Sequence, residues 1–253
     1  MSVAARCRSL SRPLFAVLLA GAMLLAAQSA YAALTTGKCL GQKRQAWTNL
    51  RKCQGTAQTN QLTGKPDALA TCQPKLDKTL ASISKQATAA GIACRYGVNG
   101  DGTLTDYDTG LTWEHKTGDG TVHDRDNRYT WSQDGFAPDG TVFSVFLTSL
   151  NDCTSADGTT LTGGFAGHCD WRLPTIVELA TLRDLNAPGC HEPGGVCIDQ
   201  TVFGPTLSNY NTWSAITGGF YNGHAWTVNF FYGDLSLYEK IEQNPARAVR
   251  SAW

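Results

Sequence analysis

Asp170, Arg172 and Glu178 stand close together in the run Asp170-Trp171-Arg172-Leu173-Pro174-Thr175-Ile176-Val177-Glu178. Two carboxylates and a guanidinium at this spacing are equipped for acid–base work, but such chemistry also needs a nucleophile or a bound group, and the flanking positions supply neither. The same residue types form a partly buried ion-pair network that locks a corner of a fold, and this is the expectation for Asp170, Trp171, Arg172 and Glu178. The local pattern positions them. Pro174 suits a first helical turn, where its missing N–H has no helical carbonyl to serve. Ile176, Leu179 and Leu182 then recur at helical spacing, with Glu178 near the helix start, where a carboxylate is favoured.

A second chemistry-bearing stretch is Asn99-Gly100-Asp101-Gly102-Thr103. Aligned as a calcium loop from Gly97, it places Asn99, Asp101 and Asp108 at ligand positions 3, 5 and 12, but a glycine stands at position 1 and an aspartate where a bidentate glutamate is usual. A hairpin turn accounts for the same residues more simply. His123-Asp124-Arg125-Asp126-Asn127 is another acidic cluster, without a fixed ligand spacing. No H-E-x-x-H or G-x-S-x-G occurs, and the five histidines are scattered. The expectation is a protein that is not an enzyme and needs no cofactor, calcium apart. Tyr210, Tyr221 and Tyr232 are candidates for a surface that stacks on sugar rings, whose C–H faces are apolar.

Residues 1–32 combine Arg6, Arg8 and Arg12, an apolar stretch from Leu14 to Ala27 and the small-residue pattern Ala30-Tyr31-Ala32, which predicts a cleavable signal peptide and an exported chain. The apolar stretch is shorter than the ~20 residues a spanning helix needs, so no transmembrane segment is expected after cleavage. Eight cysteines remain after residue 32, an even number that in an exported chain predicts disulfides. The charge is uneven: residues 33–94 hold nine Lys and Arg against two Asp and Glu, a net of +7, whereas residues 95–253 hold nine against nineteen, a net of −10. Two modules of opposite sign are implied, 33–95 and 96–253.

In the first module Cys39, Leu40, Ala46, Trp47, Leu50 and Cys53 fall on one helical stripe. Gly55 to Gly64 is turn-rich, Asp67 is a cap candidate, and a second helix is expected to start at Pro74 and stop at Gly91. An antiparallel hairpin then brings Cys53 to Cys72 and Cys39 to Cys94, since the crossed pairing would span far more than the ~7 Å limit. Its basic residues, Lys43, Arg44, Arg51 and Lys75 among them, are expected on the outside, as a solvated face or a polyanion contact. In the second module Val142–Leu150 reads as a core helix, and Cys190 and Cys197 bracket a short loop that they close.

Asp170-Trp171-Arg172-Leu173-Pro174-Thr175-x-x-Glu178-Leu179 resembles the central signature of the Lcl C-terminal domain family. Asp101–Asp106 with Thr109–Glu114 is similar to its opening strand pair, and Thr212–Ser214, Ala225–Phe230 and Arg247–Arg250 to its closing strands. The resemblance implies an α+β, C-type-lectin-like domain of antiparallel strands and short helices, secreted and linked to adhesion and ligand binding. It also implies a Cys153–Cys169 pair, and by analogy it places a ligand site within 205–240, at Tyr210, Tyr221, Asn222, Tyr232 and Asp234. The implied partner is a surface glycan or protein ligand, not nucleic acid. An envelope assembly protein is the alternative. A formylglycine-generating oxidase, a lectin-like enzyme that depends on free cysteines, is a remote one. Glu192-Pro193-Gly194 is similar to the E-P-N of mannose-binding lectins but lacks the asparagine ligand, and reads as a turn.

Overall fold

A computed structural model describes residues 35–66, 68–154 and 163–253. The expected signal segment 1–32 and the Asp67 cap lie outside the described residues. The chain folds as α+β, a disulfide-linked helical hairpin followed by two antiparallel sheets. The hairpin comprises α1 (Thr36–Leu62) and α2 (Leu69–Ala89). The first sheet has the order β1 (Tyr96–Val98), β2 (Thr103–Asp106), β3 (Leu111–Glu114), β7 (Val249–Ser251). The second has the order β4 (Asn211–Thr217), β5 (His224–Asn229), β6 (Asp234–Glu239). Among the described residues no helix is long and apolar enough to cross a membrane.

The hairpin departs from expectation in three places. Residues 55–62 continue α1 instead of turning, with Ala57 extending the buried stripe, and Thr56 and Thr59 satisfy their hydroxyls on the carbonyls of Lys52 and Gly55. The second helix starts at Leu69, so Pro74 lies inside it. The proline removes the bond that the carbonyl of Ala70 would accept, which is tolerable because Ala70 is exposed to water. Lys43 is buried, not outside: it lies on the stripe between Cys39 and Ala46 and pairs with Asp108 of the β2–β3 turn. The stop at Gly91 is as expected. Gly91 has φ +65°, Ile92 N–H donates to the carbonyl of Ala87 and Gly91 N–H to that of Thr88.

Cysteines pair as Cys39–Cys94, Cys53–Cys72, Cys153–Cys169 and Cys190–Cys197, with Cα separations of 6.0, 5.8, 5.9 and 4.5 Å. Cys53–Cys72 joins the two helices and Cys39–Cys94 ties α1 to the segment between α2 and β1, in a hairpin whose core is thin: Ala46, Leu50, Leu76 and Leu80 in one cluster, Ile83 and Ala87 in another.

Strand alternation gives the first sheet two unlike faces. Leu104, Leu111, Trp113 and Val249 enter a core with Leu179, Phe203, Val228 and Phe230. Thr103, Thr105 and Thr112 lie on the other face, where Thr105 opposes Thr112 and Thr112 opposes Arg250. A second core joins Trp131, Phe146, Trp171, Trp213 and Ala248. The expected core helix is present but is wound as a π-helix over Val142–Leu147, then as the single turn α3 (Thr148–Leu150).

Candidate functional site

The polar face of the first sheet is roofed by α1, and the two enclose a cleft of about 370 Å³. Arg44 and Arg51 enter from the helix; they are seven residues apart and so share a face. Thr105, Thr112 and Arg250 form a row across the floor, with Asn99, Asp101, His168, Tyr107 and Trp253 around it. Thr103, Thr105 and Thr112 are buried, at 2 %, 6 % and 5 % exposure.

Trp47 fixes the seating of the roof. Its indole stacks on Trp253 at 6.4 Å with an 11° interplanar angle, and its Nε1–H donates to the carbonyl of Tyr107 at 2.9 Å. The ring lies over Gly110, where φ is +71° and a Cβ would come within 2.5 Å of it. Glycine is required there on both counts. The buried Lys43 reaches the half-exposed carboxylate of Asp108 at the same seam.

Three arginines and a histidine line the cleft against one carboxylate, Asp101, which is engaged by Thr103 through its N–H at 3.0 Å and its hydroxyl at 2.6 Å. Arg250 Nε donates to Asp170 at 2.7 Å. That bond, against the opposing effect of burial, holds the Asp170 carboxyl below its ordinary range. The Nε1–H of Trp253 is buried with no acceptor among the described residues. A cleft with excess guanidinium, hydroxyls and an aromatic wall is suited to an anionic group carried on a sugar-sized body.

The signature stretch is structural, with one change of partner. Arg172 grips Glu178 through two bonds of 2.8 and 2.7 Å, and Glu178 also accepts from Thr175 N–H, closing a capping box on α4 (Ile176–Ala180). Burial alone would raise the Glu178 carboxyl; Arg172 and Thr175 hold it down. Asp170 does not join this pair but bonds Arg250, because Arg172 pairs its backbone with Val249 and so brings the next strand residue alongside. Trp171 is buried and donates to the carbonyl of Phe165.

Asn99, Asp101 and Asp108 are not brought together as calcium ligands. Asp101 and Asp108 flank opposite ends of β2, Asp101 closes a turn onto Thr103, Asn99 Nδ2 donates to Thr103 and Thr105, and Asp108 is taken by Lys43. Among the described residues the group of three potential ligands within 4.8 Å is Cys190, His191 and Cys197, whose sulfurs are already joined in a disulfide.

The aromatic set within 205–240 is split. Asn229 opposes Asp234 at one end of the β5–β6 hairpin and His224 opposes Glu239 at the other. Tyr232 and Asp234 therefore lie at the first end and Tyr221 and Asn222 at the second, roughly 17 Å away at ~3.4 Å per residue. Tyr210 belongs to the first end and is occupied by Arg128, whose guanidinium lies 4.7 Å over its ring.

A buried charge network escaped the sequence reading. Glu114 is fully buried and accepts from Lys116 Nζ at 2.8 Å, His123 Nδ1 at 2.9 Å and Ala248 N–H at 3.0 Å. Burial would raise its carboxyl, but Lys116 and His123 hold it below the usual range. Burial pulls the Lys116 ammonium down, and Arg247 to about 10. Arg247 donates to the carbonyls of Glu114 and Phe203 at 2.9 and 2.8 Å, tying β3 to the end of α5 (Gln200–Phe203). Alternation within Leu111-Thr112-Trp113-Glu114 put Glu114 on the polar face; nothing in the sequence showed that this end of the face is covered.

Comparison with curated proteins gives no match. The model of the Lcl C-terminal domain matches residues 102–250, which takes in β2, the signature corner, both core clusters and the start of β7. The match covers more than half of the chain, which belongs to the Lcl C-terminal domain family.

Proposed function

We propose that this is an exported binding protein of adhesion type, with no catalytic role, that holds an anionic saccharide in the cleft between α1 and the first sheet. The observation that carries the reading is the meeting of Arg44, Arg51 and Arg250 over a row of threonines beside Trp253. Guanidinium forks match carboxylate and sulfate geometry, and an indole face suits the apolar side of a sugar ring. Four disulfides fit an oxidising, extracytoplasmic address. The net negative charge of residues 95–253 disfavours polyanions elsewhere on that domain, so the basic helix supplies the attraction. The C-type-lectin-like reading is retained for the domain, with the site moved from the 205–240 tyrosines to the helix–sheet seam.

A glycan array at low and moderate salt, followed by titration calorimetry on the best ligand, tests this. The expected result is binding to uronic-acid or sulfated saccharides that weakens with salt and falls about tenfold or more in Arg44→Ala/Arg51→Ala, whose exposed side chains leave the fold intact. Unchanged affinity in that variant, or calcium-dependent binding to neutral sugars only, overturns the assignment.

A further inference from the structure

Phe220 is fully exposed at 100 %, and three more large apolar side chains are exposed near it: Phe136 at 66 %, Tyr221 at 62 % and Ile241 at 51 %. They come from three separate loops held together by Lys240, whose N–H donates to the carbonyl of Gly223 and whose Nζ donates to that of Phe136, both at 2.9 Å. The meeting of these loops gathers four exposed apolar side chains at one end of the sheet. Its rim is acidic: Asp134, Glu239 and Glu242 are exposed, and none takes part in an ion pair among the described residues.

The hairpin carries the complementary feature. Between α1 and α2 lies a recess of about 390 Å³ whose floor is the buried cluster Ala46, Leu50, Cys72 and Leu76 and whose edge carries Asn49, Lys75, Lys78 and Thr79. Both lysines are exposed and without a carboxylate partner among the described residues. Arg44, Trp47 and Arg51 face the first sheet from a different side of α1, so the groove stays open when the hairpin is docked.

We infer that this chain associates head to tail with a second copy, the acidic aromatic end of the β4–β6 sheet seating in the lysine-edged groove of its neighbour. Charge selects this arrangement over the symmetric ones. End against end would oppose three carboxylates with three, and groove against groove would oppose lysines with lysines. A contact between two different surfaces of the same molecule leaves the pair with one free end and one free groove, so copies keep adding until the chain of contacts closes into a ring.

Sedimentation velocity of the purified full chain over a concentration series tests this. The expected result is growth beyond dimer with rising concentration at low salt, reversed by added salt. Phe220→Asp and Lys75→Glu/Lys78→Glu, all at exposed positions, should each weaken association about tenfold or more. Mixing them is the decisive arm, because the first retains an intact groove and the second an intact aromatic end. The mixture should give a dimer and nothing larger. A wild-type chain that stays monomeric, association that survives either variant, or a mixture of folded variants that does not dimerise overturns the inference.

Discussion

Replacing Glu114 with glutamine tests the buried network most directly. The variant keeps the shape of the side chain and one acceptor for Ala248 N–H but removes the charge that faces Lys116, a residue only 5 % exposed. Stranding a buried cation costs about 3–5 kcal/mol, and the retained amide places Glu114→Gln at the low end, about 3 kcal/mol. For a chain of this size each kcal/mol moves the melting temperature by ~2–4 °C, so a fall of roughly 6–12 °C is expected. Urea unfolding at neutral pH, followed by tryptophan fluorescence, reads the free energy. The companion variant Glu114→Gln/Lys116→Met removes the stranded cation and should recover about half of the loss or more, because a buried pair is often replaced by apolar groups at little cost. A loss below ~1 kcal/mol in the single variant, or no recovery in the double, would refute the argument that Glu114 is there to neutralise Lys116.

Three further outcomes are expected. Gly110→Ala places a methyl group against the Trp47 ring at a left-handed backbone position, so the hairpin should be dislodged and tryptophan emission from the seam should shift to the red while the two sheets keep their circular dichroism. Cys53→Ser/Cys72→Ser opens a loop with a sequence separation of 19 and should cost about 3 kcal/mol, read as earlier loss of helical signal on heating. The carboxyls of Glu114, Asp170 and Glu178 are all held below their unfolded values, so their contribution is complete above about pH 5 and is lost as pH falls through the folded values. Melting temperature should decline gently from about pH 7 to pH 5, because burial and then Arg247 hold the His115 imidazole below its ordinary value, and drop steeply below about pH 4. Glu178→Gln should change the drop little, because Arg172 is 45 % exposed and its pair is worth ~1 kcal/mol or less.

Three cysteine pairs were legible from helix geometry and loop spacing, whereas Cys153–Cys169 and the β2–β3 strand pair were legible only through the family resemblance. The nested pairs follow once an antiparallel hairpin is assumed, and the Asx turn at Asp101 sets where β2 begins. What was not legible depends on a surface that arrives from far along the chain. Lys43 is sorted with the exposed basic residues by its charge, although its position between Cys39 and Ala46 is a buried one; its partner Asp108 is 65 residues away. Glu114 belongs to a polar strand face, and its burial depends on Lys116, His123 and Ala248 covering it. The tyrosines within 205–240 share composition but not location, because a hairpin of six-residue strands holds its two ends apart. The cleft has the same character: Arg44 and Arg250 are more than two hundred residues apart, and only the docked helix makes them neighbours.

The Cys39–Cys94 bond has a mechanical consequence. Cys39 lies in the first turn of α1 and Cys94 just before β1, so the bond joins the start of the described chain directly to the first sheet. Tension applied between the ends of the chain passes through that covalent link, and the hairpin hangs beside the load path as an unstressed loop. A span with a sequence separation of 55 is thereby withheld from extension, roughly 190 Å of contour at ~3.5 Å per residue. Pulled under oxidising conditions, the molecule should yield its sheets while α1 and its arginines remain folded. After reduction, the missing length should appear as a separate early release.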